Sequence, residues 1–217
     1  MGACEDQSSH DLHAQFSTNF MGTLNIIHAS LAYFRQRVYG RYLIFSSTSG
    51  ALGVPGLGPY CATKYAVEGL IESMLYEVDC FNIKATLVEP GHVRLEDVDV
   101  AAILNPTSPV SKAHVDGENR PKKYNMFQVK KASSPYASPT SPAAHAKRMV
   151  QWLGEHQPVS PAKSAELCWQ LGHCSYPPLR LLLGGYAVES IRDRLKSVIE
   201  EVGIITVYLW FPSANAR

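Results

Sequence analysis

The chain has 217 residues, of which 46% are hydrophobic, 18% charged and 10% aromatic. Its formal net charge of +1 argues against nucleic acid or an anionic membrane surface as a partner, since both call for clustered basic charge. No apolar run reaches the roughly 18 residues of a membrane span, and the polar, acidic opening MGACEDQSSHDLH does not resemble a signal peptide.

Helical and strand patterns alternate in the first part of the chain. Apolar residues at steps of three and four predict a helix over residues 9–37, and Gly40 ends it. Residues 42–45 form a short aromatic and β-branched run typical of a buried strand, and the turn-rich loop SSTSGALGVPGLGP follows it. A second helix is predicted over residues 60–80 and a second buried strand over 83–88. The order helix, strand, helix, strand predicts an open α/β sheet with parallel strands.

The composition changes after residue 100. Residues 105–161 hold eight of the fourteen prolines, and we predict a substrate-side lid or loop there, with one short helix near 142–153. Two further helices are predicted over residues 161–171 and 186–202. The chain therefore divides into a catalytic α/β core (1–104), this lid or loop (105–161), and C-terminal helices with an irregular tail (162–217).

Tyr60 and Lys64 lie four residues apart, and so on one face of the predicted second helix. A lysine beside a tyrosine lowers the pKa of the phenol, because the ammonium favours the phenolate. Such a phenol passes a proton to a carbonyl or takes one from an alcohol. The spacing alone is also typical of an exposed aromatic–lysine contact. The surrounding residues must therefore decide between the two interpretations.

Ser47 and the pair Pro90-Gly91 follow the two predicted strands directly. Active sites of open α/β sheets lie outside the carboxyl ends of the strands. Both strand ends and the start of the Tyr60 helix therefore converge on one crevice.

The string FSSTSGALGVPGLGPYCATKYAVEGL, the later VEPG and an upstream Asn19-x-x-Gly22 together resemble the short-chain dehydrogenase/reductases, particularly the 17β-hydroxysteroid and retinol dehydrogenases. The similarity runs from about residue 11 to 91. It implies the C-terminal portion of a Rossmann-type doubly wound parallel sheet, without the N-terminal βα units.

The resemblance also implies a role for each matching residue. Tyr60 corresponds to the general acid/base, and Lys64 to its electrostatic tuner and a ligand of the nicotinamide ribose. Ser47, with Ser46 as the weaker alternative, corresponds to the donor that holds the substrate carbonyl. Asn19 corresponds to the anchor of a water relay to Lys64. The segment whose backbone meets the nicotinamide matches Pro90, Gly91 and Val93.

The chain departs from the family pattern in two places. Leu95 stands where a threonine often holds the carboxamide, and the motif Thr-Gly-x-x-x-Gly-x-Gly, which brings backbone amides to the pyrophosphate, is absent. Met1 is expected to correspond to an internal methionine of a longer ancestor. We therefore expect NADP or NAD as cofactor, bound weakly.

Three functions follow as hypotheses. The first is an NAD(P)-dependent oxidoreductase acting on a small lipophilic ketone or secondary alcohol. The second is a non-catalytic remnant that acts as a dimerisation or interaction module, and the third is a cofactor-free isomerase with Tyr60 as base. A homodimer or other self-association is expected.

The cysteines favour a cytoplasmic protein without a metal site. The five are few and scattered, which is unlike a disulfide-stapled secreted domain. Cys168, His173 and Cys174 match no common zinc spacing, so no metal is predicted.

Overall fold

The computed structural model describes residues 1–91, 130–142, 144–145, 148 and 159–209, with side chains as far as residue 204. Most of the predicted lid or loop, and most of the helix expected near 142–153, lie outside these described residues. The division into core, lid and C-terminal helices therefore stays a prediction.

Three parallel strands form the sheet, in the order β1-β2-β3. They are β1 (Gly40–Phe45), β2 (Ile83–Pro90) and β3 (Arg180–Leu183). Phe45 pairs with Val88, and Pro90 pairs with Leu183. The predicted α/β class and the parallel pairing are confirmed. Strand β3 was not predicted, because its four apolar and basic residues show no alternation that distinguishes a strand from a loop.

Five α-helices whose full bounds the structure describes accompany the sheet, and residues 142, 144, 145 and 148 are helical as well. The five helices are α1 (Ser9–Phe16), α2 (Gly22–Arg37), α3 (Gly58–Val78), α4 (Pro161–His173) and α5 (Gly185–Leu209). The single helix predicted over residues 9–37 is interrupted by a π-helical turn at Ser17–Met21. Helix α5 continues well beyond residue 202, into the segment predicted to be irregular.

Local sequence explains where these helices begin and end. Ser8 caps α1 through a capping box, in which the Ser8 side chain accepts from the Asp11 amide and the Asp11 carboxylate accepts from the Ser8 amide. Proline in the first turn of α3 lacks only an N–H that would have no helical partner there. Gly40, just after α2, has no space for a side chain, since a Cβ there would lie 2.5 Å from the Phe34 ring.

The main hydrophobic core lies between α3, α2 and the sheet. Helix α3 contributes Ile71, which is fully buried, and strand β2 contributes Leu87, which is also fully buried. The other buried members are Ile27, Tyr42, Val67, Met74, Val78, Ile83 and Ala85. Each large apolar side chain buried in this way stabilises the fold by about 1.5–3 kcal/mol. Helix α3 is therefore held firmly against the two strands that carry the candidate site.

None of the helices in the described ranges combines the length and the apolar character needed to cross a lipid bilayer.

Candidate active site

The carboxyl ends of β1 and β2 lie at one edge of the sheet, as parallel pairing requires. The Ser46 amide donates to the Val88 carbonyl at 2.9 Å, which continues the ladder one residue beyond β1. Ser47 comes next and caps a short 3-10 turn, Thr48–Gly50, where its hydroxyl oxygen accepts from the Ser49 amide at 3.2 Å. Its backbone position is therefore fixed on both sides.

Tyr60 lies in the first turn of α3, and its phenol lies beside the Ser47 side chain. Burial raises the pKa of the Tyr60 phenol above its ordinary value of 10.0, and the neighbouring Cys61 adds to the rise. The Ser47 side chain acts in the opposite direction, because its hydroxyl stabilises the phenolate. The structure thus brings together the two hydroxyls that the sequence singled out.

Lys64 lies one helical turn after Tyr60, but its ammonium is directed elsewhere. The Nζ atom donates to the Phe45 carbonyl at 2.9 Å and lies 5.7 Å from the centroid of the Tyr60 ring. Burial lowers the pKa of Lys64, although Glu68 counteracts this. The sequence predicted a phenol pKa lowered by Lys64, whereas the net shift at Tyr60 is upward, because burial outweighs the stabilising contacts.

Asn19 lies within the π-helical turn between α1 and α2. Its side-chain amide donates to the Thr63 hydroxyl at 3.2 Å, and that hydroxyl donates to the Tyr60 carbonyl at 2.7 Å. Single π-helical turns occur frequently at functional sites. Asn19 is thus linked to the backbone of the Tyr60 turn through Thr63, a contact that sequence reasoning missed. The predicted water relay to Lys64 stays a prediction.

Pro90 and Gly91 end β2 at the same edge of the sheet as Ser47. The Gly91 amide donates to the Leu183 carbonyl at 3.1 Å, which fixes this segment against β3. Val93, the third residue of the predicted nicotinamide contact, lies outside the described residues, as do His92 and Leu95.

A cleft of about 490 Å³ opens beside Tyr60 and Asn19. The start of the chain forms one wall, where the Gly2 amide donates to the Gly56 carbonyl at 3.0 Å. Lys130 closes another part, with its Nζ 2.8 Å from the Asp11 carboxylate. Tyr60 and Asn19 therefore border a space large enough for a small molecule, while Ser47 and Lys64 are not among the described residues that line it.

A charged cluster at the start of β3 was also missed by sequence reasoning. Arg180 donates to Glu68 and Glu72 of α3 and to Glu89 of β2, each at 2.5 Å. Burial raises the pKa of Glu89, and the Glu68 charge adds to the rise, although Arg180 opposes it. Two signals in the sequence pointed here: Glu89 interrupts an apolar strand, and Glu68 follows Lys64 by one helical turn.

Within the described ranges, no three His, Cys, Asp or Glu side chains lie together as a metal ion would require. All five cysteines are free thiols.

Comparisons with family models, with known proteins and with solved structures all give matches of the same kind. A family model described as short chain dehydrogenase matches residues 1–102. The 3-ketodihydrosphingosine reductase of Bacteroides thetaiotaomicron is 41% identical over 90 residues, which are 42% of this chain and 34% of that protein. Human retinol dehydrogenase 8 is 36% identical over 96 residues, which are 44% of this chain and 31% of that protein.

A solved structure extends the similarity to most of the chain. The crystal structure of a short-chain dehydrogenase from Streptomyces avermitilis superposes with a TM-score of 0.72 at 28% identity, covering 94% of this chain and 63% of that one. In each of these matches the chain spans less than two thirds of the relative's own length.

The first prediction concerns the Tyr60 phenol. We expect it to titrate above 10.0, because burial disfavours the phenolate. The difference in phenolate absorbance between the wild-type chain and Tyr60→Phe isolates this group from the other tyrosines. The same shift stabilises the fold below pH 10.0, and that contribution is lost as the pH rises through the folded-state pKa. A Tyr60 midpoint at or below 10.0 would contradict the expectation.

Proposed function

The chain belongs to the short-chain dehydrogenase/reductase family, and from this premise we propose that it is the catalytic part of an NAD(P)-dependent oxidoreductase of ketones and secondary alcohols. The observation that carries the proposal is the placement of Tyr60 beside Ser47 at the carboxyl edge of a parallel sheet, with Tyr60 lining a cleft of about 490 Å³.

In the proposed reduction, the two hydroxyls act on the same substrate oxygen. Tyr60 transfers its phenolic proton to the carbonyl oxygen, and Ser47 donates a hydrogen bond to that oxygen as its negative charge develops. The raised pKa of Tyr60 keeps the phenol protonated at neutral pH, which suits proton donation. In the reverse direction, the proton of the alcohol passes to Tyr60 in its phenolate form.

The donor set near Tyr60 fits the nicotinamide end of a dinucleotide. A phenol and an ammonium one helical turn apart, at Tyr60 and Lys64, suit the two hydroxyls of a ribose. When bound, the nicotinamide would supply or accept the hydride. The sequence has no Thr-Gly-x-x-x-Gly-x-Gly motif for the pyrophosphate, so these residues would hold only one end of the cofactor.

A lipophilic substrate is the class we favour. The names of the two relatives refer to a long-chain keto base and to retinol, both of which are lipophilic. We extend this class, though not either compound, to the present chain. A cytoplasmic location is proposed on the free cysteines, which a reducing compartment preserves.

The second prediction tests the acid/base. Tyr60→Phe removes the transferable proton and leaves the ring, so we expect turnover of a lipophilic ketone with NADPH to fall by roughly 10²–10⁴-fold. Tyr65→Phe is the matched control, because Tyr65 lies on the same helix with an exposed side chain. Near-normal turnover by folded Tyr60→Phe would refute the assignment.

The third prediction concerns the cofactor. We expect this 217-residue chain to bind NADPH and NADH weakly, since only the nicotinamide end has candidate ligands. Isothermal titration should show no saturation in the low micromolar range, and Lys64→Met should weaken what binding there is. Tight binding would mean that another segment supplies the phosphate site.

The fourth prediction is self-association through β1. Since Ser46 faces β2 and alternate residues of a strand face opposite sides, the backbone groups of Leu43 and Phe45 face away from β2. No strand in the described part of the chain pairs with that side, and such an edge is a template for another chain. Light scattering should show species larger than a monomer. A monodisperse monomer with slowly exchanging amides at Leu43 and Phe45 would refute this.

A further inference from the structure

The charged cluster around Arg180 reaches the candidate site through Glu68. Arg180 bridges Glu68 to Glu89, and both carboxylates are almost fully inaccessible, with 5% and 0% of their side chains exposed. A buried carboxylate is tolerated only where its oxygens are paired. Arg180 pairs with one oxygen of Glu68 and leaves the other for a second donor.

That second donor is the Ser46 hydroxyl, which donates to Glu68 Oε1 at 2.5 Å. The loop that follows closes over the same carboxylate. A Cβ at Gly50 would collide with Glu68 Oε1 and would also lie 2.7 Å from the Ser46 hydroxyl oxygen. The turn containing Ser47 is therefore packed directly against Glu68, without space for a side chain at Gly50.

Helix α3 thus holds the end of β1 at two consecutive residues. Lys64 donates to the Phe45 carbonyl, and Glu68, one helical turn further on, accepts from Ser46. The next residue along the chain is Ser47. Tyr60 lies one turn before Lys64, so a single helix carries the proposed acid/base and both contacts that fix its partner.

We propose that Glu68 is a positioning residue, which holds Ser46 and so fixes the Ser47 hydroxyl against the Tyr60 phenol. Arg180 acts behind it by holding the Glu68 carboxylate in one orientation. The catalytic consequence rests on the proposed function. The positioning itself is a property of the folded chain, and it is measurable without substrate or cofactor.

The test compares substitutions that break the link from either side. In Glu68→Gln, one carboxylate oxygen is replaced by an amide donor and the negative charge is lost, so the ion pair with Arg180 and the charged hydrogen bond with Ser46 are not both kept. Ser46→Ala breaks the same link but keeps the Glu68–Arg180 ion pair, so it decides the question if Glu68→Gln does not fold. Glu72→Gln is the matched control, because Glu72 also binds Arg180 but is half exposed and, within the described residues, forms no hydrogen bond with Ser46.

Two readouts report on Ser47 in the absence of turnover. The first is the midpoint of the Tyr60 phenolate titration, with Ser47→Ala as reference for complete loss of the Ser47 hydroxyl. The second is amide hydrogen exchange near neutral pH at Ser49 and Gly50, whose amides donate to Ser47. We expect Glu68→Gln and Ser46→Ala to move the midpoint in the direction of Ser47→Ala and to speed exchange at least severalfold. Glu72→Gln should change neither.

The proposal is overturned if folded Ser46→Ala keeps the wild-type midpoint and exchange rates while Ser47→Ala shifts the midpoint. In a preparation that turns over, both substitutions at the link should lower kcat with little change in KM. A wild-type chain that shows the titration shifts but no turnover would contradict the proposed oxidoreductase activity and leave the positioning role supported.

Discussion

Parallel pairing of β1 with β2 is the constraint on which the candidate site depends. The register that sets Phe45 opposite Val88 carries the chain from both strands out of the same edge of the sheet. Ser47 and Gly91 therefore emerge side by side in the fold, although they are 44 positions apart in the sequence. Helix α3 is the crossover between these strands, and its first turn returns to that edge with Tyr60. The strand topology alone therefore brings three separate segments of the chain to one edge of the sheet.

A cluster of buried charges then fixes the orientation of side chains near this edge. Three carboxylates and one guanidinium meet where β2, β3 and α3 converge. The desolvation free energy of buried charges is often as large as the free energy gained from their ion pairs. The cluster is therefore not counted as a source of net stability. Its effect is directional, because each carboxylate that Arg180 binds loses its freedom to rotate. Within the described ranges, one oxygen of Glu89 has no hydrogen-bond partner, and the raised pKa of this group favours its protonated form.

The sequence was sufficient for the parts of the fold that depend on local pattern. Helical periodicity and the short apolar runs predicted α2, α3, β1 and β2, and the motif around Tyr60 predicted the family. The π-helical turn at Asn19 was not predictable in this way, because the apolar spacing continues through it. Strand β3 and Arg180 were missed because their roles depend on pairing with residues about 90 positions earlier. The sequence of a four-residue strand does not indicate which distant residues it pairs with.

The electrostatics of Tyr60 show why a motif predicts proximity better than it predicts pKa. The spacing of Tyr60 and Lys64 correctly places them one turn apart, but the ammonium binds the Phe45 carbonyl, so its hydrogen bond is not made to the phenol. Burial acts on both groups and favours the neutral form of each, raising the pKa of the tyrosine and lowering that of the lysine. Among the described residues, the neighbour that lowers the Tyr60 pKa is the Ser47 side chain. The acidity of the proposed proton donor therefore depends on how firmly the end of β1 is held, and hence on the packing of α3 against the sheet.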